Sequence, residues 1–209
     1  MKKLLVFADH WMNYSPGQRY LIEAFWNSLK KANINPVLIP LRTPDDEHII
    51  RSKGNLLKKS LLIFKWMNAR RLHLNLITRN DVVMVYRYVY PFITNWFERA
   101  VKKRAKATIL VIDEAYWMQE PLEYHSFIKY IESIFCKFPS ILRYFDGVIV
   151  TNPYCASLIA PHSSSYIIIP DVYDTDRFSP SPHRNTDEKV RIGWSGSHST
   201  FKYIKPYIP

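Results

Sequence analysis

The sequence predicts an α/β fold built on a doubly wound, mostly parallel, Rossmann-like sheet. Short runs rich in Val, Ile, Leu and Tyr recur along the 209 residues, and they are nearly continuous, as strands covered on both faces are. Longer amphipathic stretches of helical spacing lie between these runs. Strands that alternate with helices are typical of a parallel sheet. A composition of 47% hydrophobic and 22% charged residues excludes a disordered or fibrous chain.

The apolar runs predict seven strands, and the amphipathic stretches predict helices between them. The strands are predicted at residues 4–8, 36–40, 81–87, 108–113, 147–151, 166–170 and 190–196. The helices are predicted at residues 16–31, 92–106, 121–143 and 152–160. Pro16 suits the first turn of the first helix, and the basic cluster Lys102, Lys103 and Arg104 suits the end of the second.

A polar segment near the C-terminus predicts a domain boundary. Residues 174–189 hold two prolines and no apolar run, as a linker does. The interpretation is therefore a first domain over residues 1–173, a linker over 174–189, and the first strand and turn of a second domain over 190–209. One strand and a turn cannot make a domain, so we expect the second domain to be truncated.

The charge balance indicates an anionic partner. Lys and Arg total 29 against 18 Asp and Glu, a formal net charge of +11. A surplus of this size favours a phosphate-bearing ligand, an acidic lipid or a nucleic acid. The two cysteines form no CxxC pair and suggest neither a disulfide framework nor a zinc site, which favours a reducing compartment. No apolar run is long enough to span a bilayer. We expect a cytoplasmic protein, either free or peripheral on the inner face of a membrane.

Two small-residue turns are candidates for a phosphate site. The five glycines form neither GxGxxG nor a P-loop. Gly17 nevertheless follows the first predicted strand, and Gly196 with Ser197 follows the last. A turn of this kind can present backbone N–H groups to an anion, and Arg19 would add a bidentate contact. The alternative is that both are ordinary strand-to-helix turns.

Charged residues at two strand ends are candidates for catalytic or ligand-binding roles. Asp113 and Glu114 follow a buried-type strand, where a carboxylate can bind a substrate or act as a general base. A helix cap or a structural ion pair is the alternative. Arg87, at the end of another strand, is either an anion ligand or half of a salt bridge.

Residues 51–79 form a basic amphipathic segment with eight Lys and Arg and no acidic residue. Leu57, Leu61 and Phe64 fall on one helical face, a pattern typical of a membrane-surface contact. The alternative is a core helix whose charged face is solvated. The predicted membrane-contact residues are Lys58, Lys59, Lys65, Trp66, Arg70 and Arg71.

The order of four motifs resembles a known family. They are SPGQRY after the first strand; DVVMVYRYVYP followed by ERAVKKRAKATILVIDEAYW; DGVIVTNPYCASLI followed by YIIIPDVYDTDRFSP; and VRIGWSGSHSTFKYI. Together they cover almost the whole chain, and their order is similar to that of glycosyltransferases of the GT-B fold, family 4-like. The resemblance implies an N-terminal acceptor-side domain followed by an incomplete donor-binding domain.

The resemblance also implies a reaction and its site. The reaction would move a sugar from a nucleotide-sugar donor to a glycan or lipid-linked acceptor, in surface polysaccharide or glycoconjugate synthesis, without a metal ion or other cofactor. Asp113 and Glu114 would be the catalytic residues. The substrate or phosphate ligands would be Ser15, Gly17, Arg19, Arg87, Gly196, Ser197 and Lys202. Ser197 stands where the family often has Arg, and a chain without a complete donor domain is expected to be inactive alone.

A non-catalytic module is the alternative function. A basic α/β domain could bind an anionic membrane or a nucleic acid without any chemistry, and its aromatic side chains could stack on bases. No nucleic-acid-binding motif is present, however, and most aromatic residues lie in predicted strands and helices. We therefore expect no nucleic-acid partner.

Overall fold

The computed structural model describes residues 2–87, 94–115, 117, 138–172, 193–195 and 201–208, except for the side chains of residues 51, 202 and 203. The chain divides into two units, Met1–Asp174 and Thr175–Pro209. This division falls close to the predicted boundary at residue 173. The predicted linker lies outside the described residues and stays a prediction.

Six parallel strands form the sheet of the first unit. They are β1 Lys2–Ala8, β2 Ile34–Pro40, β3 Val82–Tyr86, β4 Ala107–Ile112, β5 Gly147–Val150 and β6 Tyr166–Ile168. Their order across the sheet is β2-β1-β3-β4-β5-β6, and every neighbouring pair is parallel. The predicted α/β class, with a Rossmann-like parallel sheet, is confirmed, and the first six predicted strands match within about two residues at each end.

Helices occupy the connections between the strands. In the first unit they are α1 Pro16–Leu21, α2 Trp26–Lys31, α3 Pro44–Arg51, α4 Leu56–His73, α5 Trp96–Arg104 and α6 Pro153–Ile159. Short 3₁₀ turns lie at Glu23–Phe25, Leu74–Leu76 and Leu142–Tyr144. In the described part of the second unit, α7 spans Phe201–Ile204 and a 3₁₀ turn spans Lys205–Tyr207. No helix among the described residues is long and apolar enough to cross a bilayer.

Both faces of the sheet carry apolar cores, because successive side chains of a strand point to opposite faces. In β1, Leu5 and Phe7 belong to the larger core, with Phe97 of α5. Leu4, Val6 and Ala8 of β1 belong to the smaller core, together with Ile22, which directly follows α1. Cores on both faces explain why the strands read as continuous apolar runs rather than alternating ones.

The first predicted helix is interrupted. Residues 16–31 form α1, a 3₁₀ turn and α2, with a break at Ile22, whose φ is −126°. Glu23 lies directly after this break, and its carboxylate accepts hydrogen bonds from the Gln18 side chain (2.7 Å) and the Asn13 backbone N–H (2.9 Å). These bonds tie the break to the preceding loop, an interaction that helical periodicity does not reveal.

The seventh predicted strand is wrong over the part that the structure describes. Gly193–Ser195 is not a strand, and glycine weakens strands because it has no side chain to pack. Residues 190–192 and 196 lie outside the described residues, as do residues 92–93 and 121–137 of two predicted helices.

The inner face of α4 contains a buried arginine. Arg70 is 0% exposed, and its guanidinium donates hydrogen bonds to the carbonyl oxygens of Ile39 (3.0 Å) and Ala8 (2.7 Å). It also lies over the rings of Phe7 and Phe97. Burial lowers the pKa of Arg70 to about 9, because the interior disfavours the charged form. Arg70 therefore cannot contact a membrane surface, and that prediction was wrong.

Three other predicted membrane-contact residues are engaged elsewhere. Trp66 is buried, and its indole N–H donates to Oδ2 of Asp46 at 3.1 Å. The ammonium of Lys65 binds Oδ1 of the same carboxylate at 2.6 Å. Lys59 donates to the carbonyl oxygen of Ser52 at 2.7 Å. Trp66 is excluded from a surface role by its burial, whereas the ammonium groups of Lys65 and Lys59 are bound to protein oxygens.

We predict that His73 makes the fold less stable in mild acid. The Arg70 guanidinium lies 3.4 Å from His73 Nδ1, and since Arg can only donate, this nitrogen must accept. Burial, and then the charge of Arg70, lower the pKa of His73 to about 4. Its pKa in the unfolded chain is about 6.5. Between these values the unfolded chain binds a proton that the folded chain does not, so the free energy of unfolding decreases as the pH falls from 6.5 to 4.

The substitution His73→Gln keeps an acceptor for Arg70 and removes the titration. Urea unfolding at a series of pH values should show a smaller loss of unfolding free energy between pH 6.5 and 4. The number of protons that the chain takes up on unfolding should decrease by up to one. His162→Gln, at an exposed position, is the matched control and should leave the slope unchanged. Equal slopes for His73→Gln and the unsubstituted chain would contradict the assignment.

Candidate functional site

The strand order marks one edge of the sheet as the place for a site. Because β1 lies between β2 and β3, the connections on its two sides run in opposite directions across the sheet. Such a switch point opens a crevice at the carboxyl ends of the strands, here those of β1 and β3. The segments that follow β1, β3, β4 and β5 all emerge at this carboxyl edge.

An ionic cluster occupies the carboxyl ends of β3 and β4. We call Tyr86, Arg87, Asp113 and Glu114 the Asp113 cluster. Arg87 binds Asp113 through two hydrogen bonds, Nε to Oδ1 at 2.7 Å and Nη2 to Oδ2 at 2.5 Å. Its Nη2 also lies 2.9 Å from Oε1 of Glu114. The Tyr86 hydroxyl donates to Oδ2 of Asp113 at 2.7 Å. A bidentate arginine–carboxylate pair of this kind is among the strongest ionic contacts in proteins.

Two further segments contact the same aspartate. The Thr151 hydroxyl, directly after β5, donates to the Asp113 carbonyl oxygen at 2.9 Å. Gly17, in the first turn of α1, packs so closely that an added Cβ would lie 2.5 Å from the Tyr86 hydroxyl and 3.1 Å from Asp113 Oδ2. Asp113 therefore joins the ends of β3, β4 and β5, and the first turn of α1 packs against it.

The protonation states of the cluster follow from its burial and charges. Burial raises the pKa of Tyr86 above its ordinary value; the charge of Arg87 opposes this shift and Asp113 reinforces it. Tyr86 thus stays a hydrogen-bond donor. Burial alone would lower the pKa of Arg87, but its hydrogen bond to Asp113 and the surrounding negative charge raise it instead. The arginine is a permanent cation.

Arg87 has an unusual backbone conformation. Its φ of +59° lies in the left-handed region, which costs a residue other than glycine about 1–3 kcal/mol. The Arg87 N–H donates to the carbonyl oxygen of Val111 at 2.9 Å, and the side chain is held by Asp113. Backbone strain of this kind clusters at functional sites. The conformation of Arg87 therefore supports a functional site at this edge of the sheet.

A second ionic group lies at the carboxyl ends of β1 and β2. We call Asp9, His10, Tyr14, Arg42 and Glu47 the Arg42 cluster. Arg42 lies 3.1 Å from Glu47 and 3.7 Å from Asp9. His10 Nδ1 is 3.5 Å from the Glu47 carboxylate, and the Tyr14 hydroxyl donates to the same group at 3.5 Å. The Tyr14 ring packs 4.1 Å from the Trp11 ring, between centroids.

Sequence reasoning missed the Arg42 cluster, although a signal was present. Thr43 caps α3 through a capping box with Asp46, and the motif TPDD is typical of such a helix start. A helix beginning there places Glu47 in its first turn, just after the end of β2. Tyr86 was missed for another reason, since an aromatic residue in an apolar run indicates only a core position.

Carboxylates outnumber cations in the two clusters that the structure describes at this edge. In the two clusters, the guanidinium groups of Arg42 and Arg87 face four carboxylates, which are those of Asp9, Glu47, Asp113 and Glu114. With His10 neutral, the two clusters together carry a net charge of −2. A phosphate here would meet carboxylates at both clusters.

The structure brings some of the predicted site residues together. Gly17, Arg87, Asp113 and Glu114 meet in or against the Asp113 cluster. Ser15 and Arg19 lie close by in sequence, at the start of α1; Ser15 makes no side-chain cap, and Arg19 has no side-chain partner among the described residues. Gly196 and Ser197 lie outside the described residues. Lys202 belongs to α7, but its side chain is not described.

The phosphate interpretation of Arg87 needs correction. Its Nε and Nη2 donors are taken by Asp113 and Glu114, which is the salt bridge that the sequence left open as an alternative. Gly17 likewise serves close packing against Tyr86 and Asp113. Within the parts of the chain that the structure describes, no group of His, Cys, Asp and Glu is placed to hold a metal ion; the expectation that no cofactor is needed stays a prediction.

Comparison with known proteins does not assign a family. No protein-family profile matches the chain, and no curated protein matches it in sequence. Among solved structures, the chain is similar to the crystal structure of the ydeN gene product from B. subtilis. The identity is 10% and the TM-score is 0.46, over 84% of this chain and 87% of that one. A likeness this low carries no argument about function.

The resemblance to GT-B glycosyltransferases was wrong. No family profile and no curated protein links the chain to a glycosyltransferase, and the structure explains the motifs otherwise. DVVMVYR and the aspartate of VIDEAYW form a salt bridge between β3 and β4, and SPGQR is the packed turn against it. The strand in VRIGWSG is absent at Gly193–Ser195. Such strand ends and turns occur in any parallel α/β sheet. The prediction of a truncated donor domain depended on this resemblance, so it no longer has that support.

We predict that Gly17 and Tyr86 are energetically coupled. Gly17→Ala should lower the free energy of unfolding by about 1–3 kcal/mol, because the new methyl group overlaps the Tyr86 hydroxyl. Tyr86→Phe removes this hydroxyl, so the cost of Gly17→Ala should fall by about 1 kcal/mol or more in that background. Denaturant unfolding of the two single variants and the double variant measures the coupling.

Gly147→Ala is the matched control, since an added Cβ there would meet Ser165 Oγ at an ordinary 3.8 Å. It should show no coupling to Tyr86→Phe. Additive effects of Gly17→Ala and Tyr86→Phe would show that the close contact does not exist in solution.

Proposed function

We propose that the chain binds an uncharged, hydroxyl-rich small molecule at the carboxyl ends of β1, β3 and β4, and that Glu114 accepts hydrogen bonds from the hydroxyl groups of this ligand. The observation that carries the proposal is the Asp113 cluster, whose strained Arg87 follows β3 and therefore lies beside the switch point between β1 and β3. Residues that follow three different strands meet there. A contact that only joined two neighbouring strands would need two such segments, so the third favours a ligand site.

The two carboxylates of the cluster suit different roles. Asp113 is 12% exposed and already accepts hydrogen bonds from Tyr86 and Arg87. It therefore fixes the geometry. Glu114 is 55% exposed and lies against Arg87 through Oε1. Its exposed face can accept a hydrogen bond from a ligand hydroxyl.

Charge and aromatic rings define the ligand class. The net charge of −2 on the two clusters disfavours a phosphate, whereas carboxylate oxygens accept hydrogen bonds from hydroxyl groups. The half-buried rings of Trp11 and Tyr14, in the loop after β1, offer an apolar surface for the C–H face of such a ligand. Carboxylates beside aromatic rings thus favour a polyol or a sugar over an anionic ligand.

The proposal predicts a specific loss in the Glu114→Gln variant. Ligand-observed NMR with a panel of neutral monosaccharides and alditols should detect binding to the unsubstituted chain. Glu114→Gln should weaken it about tenfold or more, because a charged hydrogen-bond acceptor is replaced by a neutral one. Asp171→Asn, an exposed carboxylate beyond β6, is the matched control and should bind normally.

Inorganic phosphate serves as the opposing probe. Binding of phosphate at this edge, or no binding by any neutral polyol, would contradict the ligand class. Polyol binding that survives Glu114→Gln unchanged would instead contradict the role of Glu114.

A further inference from the structure

The outer side of α4 is apolar and faces solvent. Leu57 is 75% exposed, Leu61 60% and Phe64 65%. Their spacing of four and three residues places them on one line along the helix, which we call the outer stripe. The stripe lies opposite the buried face of the same helix, formed by Leu62, Trp66 and Arg70. The helix therefore presents apolar side chains on two opposite sides.

The outer stripe continues into a shallow cavity beside α5. The cavity has a volume of about 290 Å³, and it is lined by Phe64, Met67, Asn68, Arg71 and Trp96. Trp96 is 41% exposed, and the Arg71 guanidinium lies 6.0 Å from the centre of its ring. An indole beside a cation is typical of side chains at a membrane–water interface.

The charged residues of the segment that carries the stripe are all cations. Residues 51–79 carry eight Lys and Arg and no acidic residue. Lys53, Lys58 and Arg71 are exposed within this segment. Asp46, a carboxylate that reaches α4, is already bound by Lys65 and Trp66. An occupant of the stripe must therefore offer an apolar surface and negative charge together.

This requirement distinguishes between two candidate occupants of the outer stripe. A second copy of the chain, packed through the same face, would supply apolar contact but would bring its own cations against these cations. An anionic bilayer supplies an apolar interior and a negative surface, and each Lys or Arg near that surface contributes about 1 kcal/mol. We propose that the outer stripe and the cavity beside Trp96 dock onto an anionic phospholipid surface.

The geometry fixes how the helix would lie. Leu57, Leu61 and Phe64 would enter the boundary between headgroups and acyl chains, with α4 parallel to the membrane plane. Lys58 and Arg71 flank the stripe along the helix and would face lipid phosphates. Trp66 and Arg70 stay in the protein interior. This contact does not depend on the ligand proposed for the Asp113 cluster.

Vesicle flotation tests the proposal with the full chain. Vesicles of phosphatidylcholine containing phosphatidylserine should carry the protein upward, whereas vesicles of phosphatidylcholine alone should bind it weakly. Raising the salt concentration should reduce binding to the anionic vesicles. The triple variant Leu57→Ser/Leu61→Ser/Phe64→Ser should bind anionic vesicles about tenfold less tightly or worse, because it removes the apolar surface that inserts.

Single substitutions provide a matched pair. Leu61 and Ile167 are almost equally exposed, at 60% and 57%, but Ile167 lies in β6 rather than α4. Leu61→Ser should weaken binding to the anionic vesicles, and Ile167→Ser should not. Since both side chains are exposed, both variants should keep the unfolding midpoint of the unsubstituted chain, which circular dichroism verifies.

Three results would overturn the proposal. The first is no binding to anionic vesicles, and the second is binding that neither the triple variant nor salt reduces. The third is a dimer, seen by analytical ultracentrifugation without lipid, that the triple variant dissociates. That result would assign the outer stripe to a second copy of the chain.

Discussion

The buried guanidinium of Arg70 is the constraint on which the arrangement of α4 depends. An arginine in the interior must have its donors satisfied, because an unpaired buried charge is very costly. Here the carbonyl oxygens of Ala8 and Ile39 accept from it, and two aromatic rings cover it. These acceptors lie at the ends of β1 and β2, so they fix which side of α4 faces the sheet. Turning the helix to bury Leu57 and Leu61 would remove Arg70 from its acceptors.

This constraint explains why the sequence predicts the strands better than it predicts α4. A continuous apolar run has one interpretation in a sheet covered on both faces, and the first six strands follow it closely. In α4, the spacing of Leu57, Leu61 and Phe64 is as regular as that of the buried Leu62, Trp66 and Arg70. Periodicity alone cannot choose between two such faces. The choice is made by the acceptors of Arg70 and by the Asp46 carboxylate beside Trp66, which are tertiary contacts.

The candidate site was predictable only in part, for a related reason. Arg87 and Asp113 stand out because charged residues directly after buried strands must meet at one edge of a parallel sheet. Their pairing, and the third partner Tyr86, depend on strand order and register, which the sequence does not show. Tyr86 pairs with Val111 across β3 and β4, and this register brings Arg87 level with the end of β4. The same features produced the misleading family resemblance, since strand ends and tight turns are shared by unrelated parallel sheets.

The distribution of charge connects the two proposed surfaces. The net charge of +11 first indicates an anionic partner for the whole protein, yet the clusters at the carboxyl edge are net negative, and exposed cations accompany α4. The two regions therefore suit different partners, although they share a framework. Arg70 bonds from α4 to Ala8, the last residue of β1, and the loop after β1 begins the Arg42 cluster at Asp9 and leads to Gly17. The helix that carries the outer stripe is thus hydrogen-bonded to the end of β1, the strand whose following loop contributes to the candidate ligand site.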